Sequence, residues 1–112
     1  TLKRITGDQL EEMLQTADLP LFDVRKKSEF DSEHLLNSVN IPLNQLNAKL
    51  DSFPKDKSFV IYCAGGYRSM IAASILKQRG FDNFIDVSGG FNEIAKTTQL
   101  PKTTYVCPST LL

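Results

Sequence analysis

Apolar residues gather in short, dense blocks along this chain. Leu21-Phe22-Asp23-Val24, Phe59-Val60-Ile61-Tyr62 and Phe84-Ile85-Asp86-Val87 are nearly unbroken apolar runs. Runs of that length, rich in β-branched and aromatic residues, predict strands covered on both faces. Val39-Asn40-Ile41, stopped by Pro42, is a weaker fourth, and Ile5 ends a short strand near the start. Helical spacing fills the intervals. Leu10, Met13 and Leu14 recur at i, i+3 and i+4. They follow Thr6-Gly7-Asp8-Gln9, which fits a capping box, and Leu19-Pro20 closes that helix. Further helical stretches run from Ser28 to Glu33, from Leu43 to Leu50 and from Ser69 to Arg79. The last carries Lys77 and Arg79 in its final turn and Gly80 in the position just past the helix end.

Strands alternating with helices predict βα units and an α/β fold, with a mostly parallel sheet between two helical layers. Crossovers are expected to be right-handed, and ligands to bind outside the carboxyl ends of the strands. The chain of 112 residues fits a single domain, 1–112, with a core over 1–98 and a tail over 99–112. The tail is expected to pack along the domain or to reach beyond it. A first residue of Thr rather than Met suggests an excised domain or a processed product.

Composition narrows the classes. Hydrophobic residues make up 41% and charged residues 23%, near the globular average, which argues against disorder. Thirteen Lys and Arg balance thirteen Asp and Glu. That balance gives no electrostatic footprint for nucleic acid or for an anionic membrane. The longest apolar run, Phe59 to Ala64, is far short of the ~20 residues of a membrane span. Two cysteines, Cys63 and Cys107, make no disulfide framework, and no C-x-x-C pair occurs. His34 is the one histidine, so no metal site is expected. No phosphate-binding G-x-x-x-x-G-K and no G-x-S-x-G occurs, and no cofactor is implied. The lack of a leader and of paired cysteines suggests the cytoplasm. A single cysteine is the natural place to look for chemistry.

Cys63-Ala64-Gly65-Gly66-Tyr67-Arg68-Ser69 follows an apolar strand and opens a helix. The sheet would deliver the Cys63 side chain to the crevice. Gly65-Gly66 allows positive φ, so that successive N–H groups turn inward to face an anion. A helix beginning at Ser69 adds its positive dipole end, and Arg68 adds a charge with a two-pronged fork. All of these favour thiolate over thiol; cysteines so placed ionise at roughly 3.5–7.5 rather than about 8.5. A buried structural cysteine with Gly-Gly as plain strand-to-helix punctuation is the alternative. The combination of strand, Cys, Gly-Gly, Arg and helix start favours the functional reading.

Leu21-Phe22-Asp23-Val24-Arg25, Glu29-Phe30, His34 and Asn40-Ile41-Pro42 resemble the opening motifs of a rhodanese-like (sulfurtransferase) domain. Cys63 to Ser69 resembles that family's active-site loop, and Phe84 to Gly90 its closing strand and Gly-Gly turn. The resemblance implies a five-stranded parallel sheet flanked by helices on both faces. It also implies sulfane sulfur transfer through a cysteine persulfide, with Cys63 catalytic and Ala64, Gly65, Gly66, Tyr67, Arg68 and Ser69 binding substrate. Thiosulfate and glutathione persulfide are the implied donors, thiols or cyanide the acceptors, and a protein donor or acceptor is a further partner. The chain departs from the family at three places. Glu33 stands where a Gly usually precedes the His, Asn37-Ser38 where a Gly-Ala pair follows it, and Ile94 where an aromatic is usual. The tail Tyr105-Val106-Cys107-Pro108-Ser109-Thr110 resembles the ends of rhodanese domains fused after a metallo-β-lactamase-like domain.

Four residues separate Cys63 from Arg68, the length seen in sulfurtransferases. The related cell-cycle phosphatases and arsenate reductases carry one more. A ring of amides must open wider for a tetrahedral oxyanion than for the outer sulfur of a persulfide. Loop length therefore favours a thiosulfate or persulfide sulfurtransferase over a thiol phosphatase or arsenate reductase. A sulfur-carrying or regulatory module of a larger protein needs the same loop and stays open. Weaker readings attach to the neighbours. Asp23 and Arg25 either support the Cys63 loop or pair with each other. His34 lines the crevice or is a hydrogen-bonded structural histidine. Tyr67 shapes donor access or is a surface aromatic, and Lys26-Lys27 attracts an anionic donor or is merely solvated. Cys107 resolves the persulfide or is inert.

Overall fold

Thr6 sets the start of the first helix. Its side chain accepts the Gln9 N–H at 3.2 Å, and the Gln9 side chain accepts the Thr6 N–H at 2.8 Å, the expected reciprocal cap. The structure is a computed structural model and describes residues 3–103. In chain order it contains β1 (Lys3–Ile5), α1 (Gly7–Thr16), β2 (Leu21–Asp23), α2 (Lys27–Ser32), β3 (His34–Leu35) and β4 (Ser38–Asn40). Two 3₁₀ segments follow, Leu43–Gln45 and Asn47–Ser52, then β5 (Phe59–Tyr62), α3 (Tyr67–Gln78), β6 (Phe84–Val87), α4 (Gly90–Thr97) and β7 (Lys102–Thr103).

Five strands form one parallel sheet in the order β1-β6-β5-β2-β4. Helices cover both faces, so the central strands are buried residue after residue, as their unbroken apolar runs predict. Phe59, Ile61 and Cys63 face one way and pack with Phe22, Phe53, Phe81 and Phe84 against Ala72, Ala73 and Leu76 of α3. Val60 and Tyr62 face the other way and pack with Leu10 of α1 and with Phe91 and Ile94 of α4.

The stretch expected to be helical over 43–50 forms two short 3₁₀ segments, the second kinked where Lys49 leaves the helical region. Leu43 and Leu46 lie three apart, one 3₁₀ turn, and that spacing puts Leu46 fully into the core with Leu43 against it. α3 begins at Tyr67, two residues before the expected Ser69. It ends as expected: the Gly80 N–H reaches Lys77 O at 3.1 Å and the Phe81 N–H reaches Leu76 O at 3.0 Å.

The departures from the family pattern are absorbed locally. Asn37 takes φ +70, the left-handed conformation a glycine would supply and that Asn tolerates best among the other residues. Glu33 is extended backbone, open to any residue. Ile94 is fully buried in the α1–α4 layer. Of the expected tail, Leu100 packs onto that layer and Lys102–Thr103 pairs antiparallel with His34–Leu35. Cys107 and the rest of the Tyr105–Thr110 motif lie outside the described residues.

Candidate active site

Cys63 stands one residue past β5, at the carboxyl end of the sheet's middle strand, with its side chain turned toward α3. It is a free thiol and 1% exposed. Its sulfur receives the Gly66 N–H at 3.0 Å and lies 3.6 Å from the Ser69 hydroxyl. Gly66 caps α3 with φ +91, and a Cβ there would come within 2.9 Å of the Gly89 nitrogen. Gly65 has no positive φ, and a Cβ on it would meet nothing within 4 Å. Of the two glycines expected to allow positive φ, Gly66 uses it, and its amide turns onto the sulfur.

The loop is held from the far side by Gly89 and Gly90, at φ +78 and +58. They bring the first turn of α4 against it, so that the Phe91 N–H bonds Cys63 O at 2.6 Å and the Asn92 N–H bonds Ala64 O at 2.9 Å. A Cβ on Gly90 would collide with the Cys63 carbonyl. Gly90 is thus part of the site, although the Gly-Gly turn in the sequence reads only as an end of strand.

Arg68 sits in the first turn of α3, and its fork is occupied. Nη1 and Nη2 bond the two Glu29 oxygens of α2 at 2.6 and 3.0 Å. Arg68, expected to bind the donor, thus presents a charge already paired with Glu29. The pair holds Glu29 at about 2 rather than 4.5, chiefly through the Arg68 hydrogen bonds, with help from the Lys26 N–H and against the effect of burial. It raises the proton affinity of Arg68 in turn.

Asp23 and Arg25 pair with each other. Arg25 Nε lies 2.8 Å and Nη2 2.7 Å from Asp23 Oδ2, and both residues are buried. Arg25 Nη2 also donates to Glu33 O at 2.6 Å, and the guanidinium lies 4.5 Å over the Phe91 ring. The pair therefore bridges the end of β2 to α4, the helix that holds the loop. His34 is tied to its own neighbourhood: Nδ1 is 2.6 Å from Phe30 O, the ring stacks on Phe30 at 3.7 Å, and its backbone lies in β3. Tyr67 is 74% exposed at the start of α3. Lys27 is paired with Asp31 at 2.9 Å, and with Lys26 and Arg68 it edges a groove of about 520 Å³ floored by Val24, Pro42 and Leu43.

Sequence patterns miss two further residues. Asp86 and Arg4 face each other beneath the loop, and nothing in a strand-like run marks them out. Among the described residues, no group of three or more His, Cys, Asp or Glu side chains converges as a metal site would require, and no helix is long and apolar enough to cross a membrane.

Comparison with known proteins places this arrangement. The family model for the rhodanese-like domain matches residues 6–97. The chain is 33% identical over 92 residues to an uncharacterized protein, YqhL, of Bacillus subtilis, covering 82% of this chain and 71% of that one. It is 40% identical over 75 residues to the adenylyltransferase and sulfurtransferase uba4 of Ogataea parapolymorpha, covering 65% of this chain and 19% of that protein. The crystal structure of a rhodanese-related protein from Thermoplasma volcanium superposes with a TM-score of 0.81 at 30% identity, over 92% of this chain and 99% of that one.

Proposed function

This chain belongs to the rhodanese-like family, and from that premise we propose that it is a sulfurtransferase carrying sulfane sulfur on Cys63. The observation that carries the reading is the contact from the Gly66 N–H to the Cys63 sulfur at 3.0 Å, at the start of a helix. An amide donor and a helix N-terminus both favour negative charge on that sulfur. The four-residue interval to Arg68 favours a single sulfur atom over a tetrahedral oxyanion as the bound group.

The reaction is two displacements at sulfur. The Cys63 thiolate attacks the outer sulfur of thiosulfate. A new S–S bond forms at Sγ, the donor S–S bond breaks, and sulfite leaves with the electron pair. With glutathione persulfide the leaving group is the glutathione thiolate. A thiophilic acceptor (cyanide, glutathione or a protein thiol) then attacks the outer persulfide sulfur, and Cys63 departs as thiolate. Electrons balance within each step, and the kinetics are ping-pong. The Gly66 N–H and the Arg68 charge stabilise the anionic sulfur throughout.

A second reading, a sulfur-carrying module that exchanges with a protein partner, draws support from the match to one segment of a much longer adenylyltransferase and sulfurtransferase. Turnover with thiosulfate and cyanide, set against transfer from a protein donor, separates the two. The primary test is intact mass after incubation with thiosulfate or glutathione persulfide, then after reductant. A gain of one sulfur on Cys63, reversed by reductant and absent in Cys63→Ser, is expected. No adduct from any sulfane donor, while Cys63 still alkylates, overturns the reading and points to phosphate, arsenate or redox chemistry.

A further inference from the structure

Arg4 and Asp86 are cross-strand partners in the parallel register of β1 and β6. Asp86 is fully buried, on the face of the sheet covered by α3. Neither of its oxygens accepts a well-formed hydrogen bond, and Arg4 Nε stands 3.3 Å from Oδ2. Its neighbours along that face are apolar, Phe84 on its own strand and Ile61 across the ladder. A buried carboxylate in such company costs free energy that an apolar residue would not. Burial accordingly raises the proton affinity of Asp86, with the Arg4 charge opposing it.

What Asp86 provides is the aim of Arg4. The other end of that guanidinium, Nη2, donates to the Gly66 carbonyl at 3.3 Å, and the Ser69 hydroxyl donates to the same oxygen at 3.3 Å. The N–H of Gly66 is the group that meets the Cys63 sulfur. Gly66 is thus held at both ends, its carbonyl by Arg4 and Ser69 and its N–H against the sulfur.

We propose that Arg4 and Asp86 are positioning residues for the reacting sulfur: Asp86 orients the Arg4 guanidinium, and Arg4 fixes the Gly66 carbonyl, and with it the left-handed backbone of that residue, so that the Gly66 N–H stays directed at Cys63. The proposal deepens the reading of Cys63 as nucleophile and rests on it. The other charges near the loop are already paired, Arg68 with Glu29 and Arg25 with Asp23. Removing Arg4 therefore changes the amide facing the sulfur without freeing either of those pairs.

The test is the rate of iodoacetamide alkylation at the Cys63 peptide as a function of pH. It is run on the full chain and on Arg4→Met, Arg4→Lys and Asp86→Asn, each checked for folding by circular dichroism. Arg4→Met is expected to slow alkylation at pH 7 by about tenfold, the effect of one hydrogen bond to a charged acceptor, and to move the whole curve to higher pH. Asp86→Asn shifts it in the same direction by less, and Arg4→Lys recovers part of the loss. An unchanged curve in a folded Arg4→Met protein overturns the proposal. If Arg4→Met does not fold, an unchanged curve in Asp86→Asn does so. Persulfide formation is measured on the same samples. A parent chain that shows these shifts but never takes up sulfur overturns the sulfurtransferase reading and leaves the positioning role standing.

Discussion

The Arg68 guanidinium meets the Glu29 carboxylate at 2.6 and 3.0 Å across 39 residues of sequence. The charge that follows the Cys63 loop is therefore shared with a second helix before any donor arrives. Both side chains are about one-third exposed, so an incoming anion competes with Glu29 in a partly solvated setting. Glu29→Gln removes that competition. The KM for thiosulfate is expected to fall about threefold, with a steeper dependence on salt, and a neutral polysulfide donor should respond less. Steady-state kinetics at two ionic strengths checks this; a higher KM for thiosulfate would show that Glu29 orients Arg68 productively rather than masking it.

The two adjacent glycines of the loop are expected to behave oppositely. Gly65 faces open space, whereas Gly66 is left-handed and pressed against Gly89. Gly65→Ala should leave melting temperature and persulfide yield near those of the parent. Gly66→Ala should cost at least ~1–2 kcal/mol from the left-handed backbone alone, and more from the contact with Gly89. It should also abolish persulfide formation, because the N–H no longer meets the sulfur. Thermal melts and intact mass of the two variants, side by side, decide it.

Gly90→Ala places a methyl group on the Cys63 carbonyl. The hydrogen bonds from Phe91 and Asn92 to the loop are then lost together. A destabilisation of about 2 kcal/mol or more is expected, in the range of overpacked sites. Hydrogen exchange should report it locally, as faster exchange of the Phe91 and Asn92 amides. Retained protection of those two amides would mean that α4 is not what ties down the loop.

Asp86 gives a stability effect that depends on pH. Its proton affinity is raised in the folded protein, so its contribution to stability is greatest when it is protonated. That contribution is present below the ordinary carboxylate range and is lost as pH rises through the raised folded value. Asp86→Asn carries no such cost. The melting temperature of the variant minus that of the parent should therefore increase between pH 3 and pH 8. A flat or falling difference would mean that Arg4 fully compensates the buried charge. Greater stability with slower Cys63 alkylation in this one variant would mark Asp86 as kept for function at the expense of stability.

Much of the framework is legible in residue order alone. The runs 59–62 and 84–87 coincide with β5 and β6, because strands buried on both faces must be apolar at successive positions. Thr6 and Gln9 mark the start of α1, because a helix start needs its free N–H groups satisfied locally. The stretch over 43–50 is less legible, because three-residue spacing suits α and 3₁₀ turns about equally. The helix start at Tyr67, two residues ahead of the expected Ser69, is not legible in residue order, because a left-handed Gly66 serves as its cap in place of a hydrogen-bonding side chain.

Residue order alone carries the α/β class, the five strands of the parallel sheet and the placing of Cys63 at a strand end before a helix, but not α4, β3 or β7. These are local properties, set by periodicity, caps and turn residues a few positions apart. Tertiary structure alone decided which charges meet. Glu29 takes Arg68 from 39 residues away, Arg4 reaches Gly66 from 62 residues away, and the Gly89–Gly90 turn presses α4 onto the Cys63 carbonyl. Those contacts come from the strand order, which sets β6 between β1 and β5 and so brings residues remote in sequence to one end of the sheet. A parallel sheet gathers the ends of its strands at one edge, and no local pattern records which side chains will find each other there.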